Sequence, residues 1–420
     1  MNKILASASM AAVGALGLNA ADTQILSPLE TGKPWSISAG LRGFYDDNYA
    51  MRPDGAARES YGFEVTPSAK FNIFHHQTRY SLSYDYIMRY FEDRVNDSAD
   101  HSHLVNGAIN HRFNEHHKVD LSNSFVVARE PELLEPTGPT TAPILRSDSN
   151  NINNRASAAY TADWTSVLST VVGYGNTIYD YDESGPGSYS AILDRMQHLI
   201  SGSLRFRVAS STIASVGYQF GIVDYRGKDS LAFAAPFVSP NVRDNESHYL
   251  FAGLDHYFNP TLNFSGRVGV QLTDYTGSLP GSPDDKTSPY ADGSLSWNYT
   301  TGSTLQVGVR HERVPTDVAL FNVGLPTLDM VSTAAYVLVR HQLTAKLRAG
   351  FTAQYQHSTF NDNIPGDLVD DYWTLGANVA YQFNQYIAAE LGYAYDNLDS
   401  DLVDRGFDRS RVFLGVRFTY

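Results

Sequence analysis

Three segments of this 420-residue chain alternate apolar and polar residues strictly for about a dozen positions each, longer than the strands of most soluble sheets. In the first, Tyr61, Phe63, Val65, Ala69 and Phe71 oppose Glu64, Thr66, Ser68, Lys70 and Asn72. Residues 261–273 set Leu262, Phe264, Val268, Val270 and Leu272 against Asn263, Ser265, Arg267 and Gln271. The third, 344–356, sets Leu347, Ala349, Phe351, Ala353 and Tyr355 against Lys346, Arg348, Thr352, Gln354 and Gln356. Period two over such a length, with charge on one face only, suits a wall that separates lipid from water.

The same reading along the chain predicts strands near 35–46, 60–72, 77–90, 103–113, 117–128, 153–163, 166–180, 195–208, 212–225, 247–258, 261–275, 289–299, 303–312, 330–341, 344–357, 372–383, 386–396 and 410–420. That is an all-β, up-and-down antiparallel transmembrane barrel of about 18 strands, with 16 as the alternative count. Its connections alternate between short turns and long loops, the pattern expected of periplasmic and extracellular ends respectively. A hairpin period of this size also occurs in propellers, but each blade there needs four strands, and only two fit here.

Lys3, the apolar run from Ile4 to Leu18 and the small residues Ala20 and Ala21 read as a secretory signal peptide over 1–20, cleaved after Ala20 or Ala21. A short periplasmic segment, 21–34, then leads into the barrel at 35–420. No later segment approaches the length of apolar chain that a spanning helix needs. The absence of Cys excludes a disulfide scaffold and thiolate metal sites. The chain is rich in the residues of strands and turns, with 27 Tyr, 21 Phe and 32 Gly.

Phe71, Phe113, Phe206, Phe258, Trp297, Tyr299 and Phe383 all fall close to short turns and on the face assigned to lipid. They make an interfacial girdle. The last strand carries Val412, Leu414, Val416, Phe418 and Tyr420 on one face and ends the chain on an aromatic, as a closing strand read by barrel-insertion machinery would. On the opposite parity the expected lining consists of Arg42, Lys70, Arg79, Arg155, Arg205, Arg207, Arg267, Arg310, Lys346 and Arg348, among carboxylates such as Glu64, Asp120, Asp255 and Glu390. Charges in a dry interior are very costly, so the lumen is either wet or internally ion-paired. Acidic residues crowd the long connections although the whole chain carries a formal charge of only −14.

Motifs for chemistry are sparse. His101-Ser-His103 has the spacing of two ligands on one strand face, but no third ligand lies near, and a solvated loop edge accounts for it. His75-His76 and His116-His117 read as turn residues. No Gly-x-Ser-x-Gly elbow or other nucleophile signature is present. The sequence therefore predicts no enzyme, no metal, no cofactor and no nucleic-acid partner. The apolar stretch Leu231-Ala-Phe-Ala-Ala-Pro-Phe-Val238 is odd for a loop in water and calls for a contact: a constriction in the lumen, a neighbouring protomer or an external partner.

Phe44-Tyr-Asp-Asp-Asn-Tyr49, Val126-Val-Ala-Arg-Glu-Pro-Glu-Leu-Leu-Glu-Pro136, Leu145-Arg-Ser-Asp-Ser149, Ser188-Tyr-Ser190 with Leu193-Asp-Arg-Met196, Gln354-Tyr-Gln-His-Ser-Thr-Phe360 and the closing strand resemble the putative β-barrel porin 2 family of bacterial outer-membrane proteins. The resemblance implies an outer-membrane barrel with a porin role and transfers no catalytic residue or solute. The expected function is diffusive passage of small hydrophilic solutes or ions. The alternative is a non-conducting structural or surface-interaction barrel whose acidic loops bind a partner. Expected partners are outer-membrane lipid, the insertion machinery, the solutes and, as an option, further copies of the chain.

Overall fold

The computed structural model describes residues 33–129, 134–135, 138–139, 150–232, 237–277, 279, 285–319, 321–322, 325–361 and 368–420, apart from Asp54 and Asn96. The predicted signal peptide, most of the segment after it and most of the 130–149 connection lie outside these residues.

Eighteen strands form one closed antiparallel sheet. They are β1 (Trp35–Asp46), β2 (Ser60–His75), β3 (Thr78–Phe91), β4 (Ala99–Arg112), β5 (His117–Ala128), β6 (Asn151–Asp163), β7 (Leu168–Tyr181), β8 (Arg195–Ala209) and β9 (Thr212–Tyr225) in the first half. The second half holds β10 (Asn245–Asn259), β11 (Leu262–Tyr275), β12 (Asp285–Thr300), β13 (Ser303–Pro315), β14 (Asp329–Gln342), β15 (Leu347–Asn361), β16 (Leu368–Gln382), β17 (Ile387–Ser400) and β18 (Phe407–Thr419). Each pairs with its sequence neighbours, and β18 pairs with β1 from Ser38↔Thr419 to Asp46↔Arg411, so no edge is left. Past the last strand residue, Tyr420 and Ile37 still exchange backbone hydrogen bonds of 2.8 and 3.1 Å. The Tyr420 ring meets Trp35 at 6.0 Å between centroids.

The wall turns its apolar parity outward. Leu41, Tyr61, Val268, Leu272, Phe351 and Leu414 are exposed, whereas Glu64, Thr66, Ser68, Gln271, Gln354 and Thr374, on the other parity, are buried. This inverts a soluble core, and only an apolar solvent makes such an outer face favourable. All eighteen predicted strands are present. Their ends differ in a regular way: the ladder runs further into the long connections than the alternation does, to Ala99, Asp285, Pro315, Leu368 and Ser400. Backbone pairing there needs no apolar face. Hence Asp370 and Asp399, which the predicted bounds leave in loops, stand on strand ends.

At the opposite end the short turns are tighter than predicted in some hairpins and longer in others, and residues 344–346 are turn rather than strand. The same local device recurs: an Asn or Thr side chain accepts two or more main-chain N–H groups of the next residues. Asn114 takes those of His116 and His117, Asn259 those of Thr261 and Leu262, and Thr344 those of Lys346 and Leu347. Aromatic residues also enter the inward face, which the polar reading of that parity did not foresee. Phe251, Tyr336 and Phe413 each stand opposite a glycine, Gly217, Gly308 and Gly392. A Cβ at Gly217 would lie 2.3 Å from the Phe251 ring, so only glycine lets the ring lie flat on the neighbouring strand.

Candidate functional site: the lumen and its extracellular mouth

The inward face carries ion pairs between adjoining strands, between strands one apart and, for Lys118 and Asp120, along a single strand. Arg42 on β1 reaches Glu64 on β2 at 3.4 Å and Glu390 on β17 at 3.0 Å, and Arg89 on β3 closes on Glu64 at 2.9 Å. Further round, Arg205 pairs with Asp255 at 2.7 Å, Arg310 with Asp292 at 2.9 Å and Lys118 with Asp120 at 3.3 Å. Of the two options left open by the sequence, ion pairing is extensive on the wall itself, and it leaves a cavity beside it.

The ten predicted lining residues are distributed unevenly. Arg42, Arg155, Arg205, Arg267 and Arg310 stand on the wall between the two ends. Arg155 is buried, with Tyr179 Oη 3.4 Å from its guanidinium, and Arg267 lies 5.8 Å from the Phe251 ring centroid. Lys70, Arg79, Arg207 and Arg348 stand towards the short-turn rim, where the Arg79 guanidinium lies over Phe74 at 5.3 Å and Arg348 donates to Gln342 at 2.7 Å. Lys346 is not on a strand; it sits in the turn and its Nζ donates to the Phe383 carbonyl at 3.2 Å.

A cavity of about 270 Å³ opens along the inner faces of β6–β14. Arg155 and Arg310 line it, together with Arg195, Arg313, Glu312 and Asp329 and the rings of Tyr179, Tyr249 and Tyr275. Arg195 is fixed by the Leu193 carbonyl at 2.9 Å and by the Tyr179 ring 4.0 Å away. Gln271 binds the main chain of Arg313 on both sides, at 3.0 and 3.1 Å, and so ties β11 to β13 over the intervening β12. Arg313 and Asp329 were placed by sequence in a loop, because the alternation stops short of them. They pair at 2.5 Å on adjoining strands.

Above the cavity the long connections pack on one another. A short helix α1 (Tyr189–Leu193) is capped by Ser188, and the two ends of the apolar stretch, Leu231 and Val238, are buried here with Val242 against Ile192, Leu279 and Ala319. A second cluster joins Val318, Met330 and Phe360 to Leu402. Arg243 is fully buried and donates to the Val318 carbonyl at 2.5 Å, 75 residues away. Arg405 forks onto Asp317 at 2.8 and 3.0 Å and reaches Asp370 at 2.8 Å. Bidentate pairs of this kind are the strong ones. Burial pushes the carboxyls of Asp194 and Asp244 up to about 6, although each accepts a main-chain N–H, from Tyr181 and Tyr225 respectively.

His101 and His103 are not loop residues. Both lie on the outer face of β4, bonded to Tyr86 and Tyr84 of β3. Among the described residues no group of His, Asp and Glu is arranged to hold a metal ion.

Residues 283–420 match the family model described as Putative beta-barrel porin 2. The match covers β12–β18, the lumen wall from Asp292 to Glu390 and the closing strand. Among solved structures, the outer-membrane protein OpdK of Pseudomonas aeruginosa superposes with a TM-score of 0.45 at 13% identity, over 92% of this chain and 99% of that one. OccAB3 of Acinetobacter baumannii gives 0.44 at 11% identity, over 92% and 99%. OccK2 (OpdF) of Pseudomonas aeruginosa, solved with glucuronate, gives 0.45 at 12% identity, over 92% and 98%. At these identities the likeness is one of chain course alone. No curated protein matches the chain.

Proposed function

We propose that this protein is a bacterial outer-membrane porin that gives small hydrophilic solutes diffusive passage. One observation carries the reading: a closed wall of 18 strands is apolar outside and charged inside, and it surrounds a cavity that charged side chains and tyrosines help to line. A barrel of this strand number is wide enough for an aqueous channel. The family model over residues 283–420 supports the same role, and a diffusive channel needs no nucleophile, cofactor or metal. The ten lining residues act by setting the charge along the path, the wall pairs by holding them off one another. Swelling of vesicles containing the purified barrel, in isotonic sugars and amino acids of rising size, tests this. Swelling rates that fall with solute size support it, and vesicles that stay shut to all of them oppose it.

A second reading rests on the mouth. The packed connections and the Arg405 fork would serve a closed barrel as well as a narrowed one. In that case the protein is a structural surface barrel and the lumen pairs only stabilise the wall.

A further inference from the structure

Thirteen histidines occur in the chain; His76 and His116 sit in short turns, and His75 is the last residue of β2, beside its turn and without a hydroxyl partner among the described residues. The other ten lie on strands, and all ten are on the outward parity. Side chains alternate along a strand, so a residue type without a facing preference would give this result about once in a thousand chains. Their heights are equally restricted. His101, His103, His198, His248, His311 and His357 stand within five residues of the strand end that borders a long connection. His111, His117, His256 and His341 stand within four residues of a short-turn end. None is at mid-strand.

Each ring is held the same way. Nδ1 faces a hydroxyl of a nearby strand in nine cases, the adjoining strand in all but His341, whose Tyr299 lies one strand further, and the Asp371 carboxylate in the tenth, that of His357. Six of the nine hydroxyls are tyrosines, with Oη to Nδ1 distances of 2.6–3.0 Å. In those six pairs the rings stack with centroids 5.7–6.2 Å apart and planes within 10–27°. A repeated geometry on six separate hairpin positions is a built feature. At Nε2, none of the ten makes a hydrogen bond within the described residues, and that of His311 is enclosed.

We propose that these Tyr–His pairs form two belts that hold the phosphate groups of lipid headgroups, one belt at each face of the membrane. The proposal rests on the reading of the barrel as membrane-spanning. An apolar band about 25 Å tall takes up the acyl chains, so side chains at its two edges stand at headgroup level. With the tyrosine hydroxyl donating to Nδ1, the ring proton resides on Nε2, which then offers an N–H to an acceptor oxygen. Phosphate oxygens are the strong acceptors at that level. A plain aromatic girdle would use Tyr and Trp and would have no need of imidazole.

The test uses the full barrel in vesicles of digalactosyldiacylglycerol, which contains no phosphate. Trace spin-labelled phosphatidylcholine and spin-labelled galactolipid, both without net charge, report their relative association with the protein by electron spin resonance. The wild type should prefer the phosphate-bearing label about two- to fourfold, the scale of one net hydrogen bond. Replacing His101, His103, His198 and His248 by Phe keeps the stacked ring and removes the nitrogens, and should lower the preference towards that of the lower belt alone. Should that variant fail to insert, His198→Phe and His248→Phe made singly should each lower it. Equal association of both labels with inserted wild type, or an unchanged preference in inserted variants, overturns the belts and leaves the barrel reading intact. Failure of the wild type to insert at all overturns both.

Discussion

Val268 offers the sharpest test of which face meets lipid. It lies midway along β11, six residues from Leu262 and seven from Tyr275, and is 65% exposed between Ala252 and Ala291 on the flanking strands. A guanidinium there would stand near the midplane with no inward escape. Arginine on the lipid face at that depth costs about 2–4 kcal/mol. At 1.36 kcal/mol per decade, Val268→Arg should shift the folding equilibrium about 30- to 900-fold. The control must be chosen from the structure. Gln271 has the right parity but is buried in the bond network with Arg313, so Gln271→Arg would be destabilising for packing reasons. Ser265, inward on the same strand and bonded to Asp255 at 2.7 Å, places an arginine beside a carboxylate instead. Urea titration of both variants in vesicles, followed by tryptophan fluorescence and heat-modifiable mobility, should give a large loss for Val268→Arg and less than about a quarter of it for Ser265→Arg. Equal losses would show that the outward parity does not face lipid.

Truncating Phe418 and Tyr420 to Ala, at the seam with β1, should lower the inserted fraction without affecting synthesis; unchanged heat-modifiable barrel would refute an assembly role. Arg405→Ala removes the fork on Asp317 and Asp370 and should raise conductance or its fluctuation, whereas an identical trace would show that the mouth is not held there. The raised carboxyls of Asp194 and Asp244 favour the proton in the folded state, so their loop anchorage is fully present below the ordinary carboxylate pKa and is lost as pH rises through about 6. Lowering pH from 7 to 4.5 should therefore quieten the mouth, and the double Asn variant should lose that dependence. Arg205→Gln with Arg267→Gln leaves Asp255 without its partner and should move the reversal potential towards cation preference; no movement would place the selective step elsewhere.

What was legible in the sequence follows from what produces period two. A strand between lipid and lumen reports its two environments at every residue, so β2, β11 and β15 could be read from local pattern alone, and the aromatic ends of Phe71, Phe258 and Phe383 marked the interface. Beyond the membrane that contrast vanishes, which is why Arg313, Asp329 and Asp399 were taken for loop although the ladder continues through them. Contacts made only by closure have no local signature at all. Arg42 meets Glu390 across 348 residues of chain, and Arg243 meets Val318 through loops of different hairpins. The proposed histidine belts are intermediate: the parity of most of these residues was available in the predicted strands, but only His101, His103 and His117 were singled out, as loop-edge or turn residues.

The central claim is that the lumen is a passage. Single-channel recording of the purified barrel in planar bilayers addresses it directly, with the inserted fraction measured on the same sample. The account predicts discrete, repeatable conductance steps that scale with salt and a weak anion preference that grows as salt is lowered, since wall cations are screened less in a confined path than mouth carboxylates in open electrolyte. A barrel that inserts fully and passes no current, in the wild type and in Arg405→Ala alike, would contradict it and establish the closed structural barrel instead.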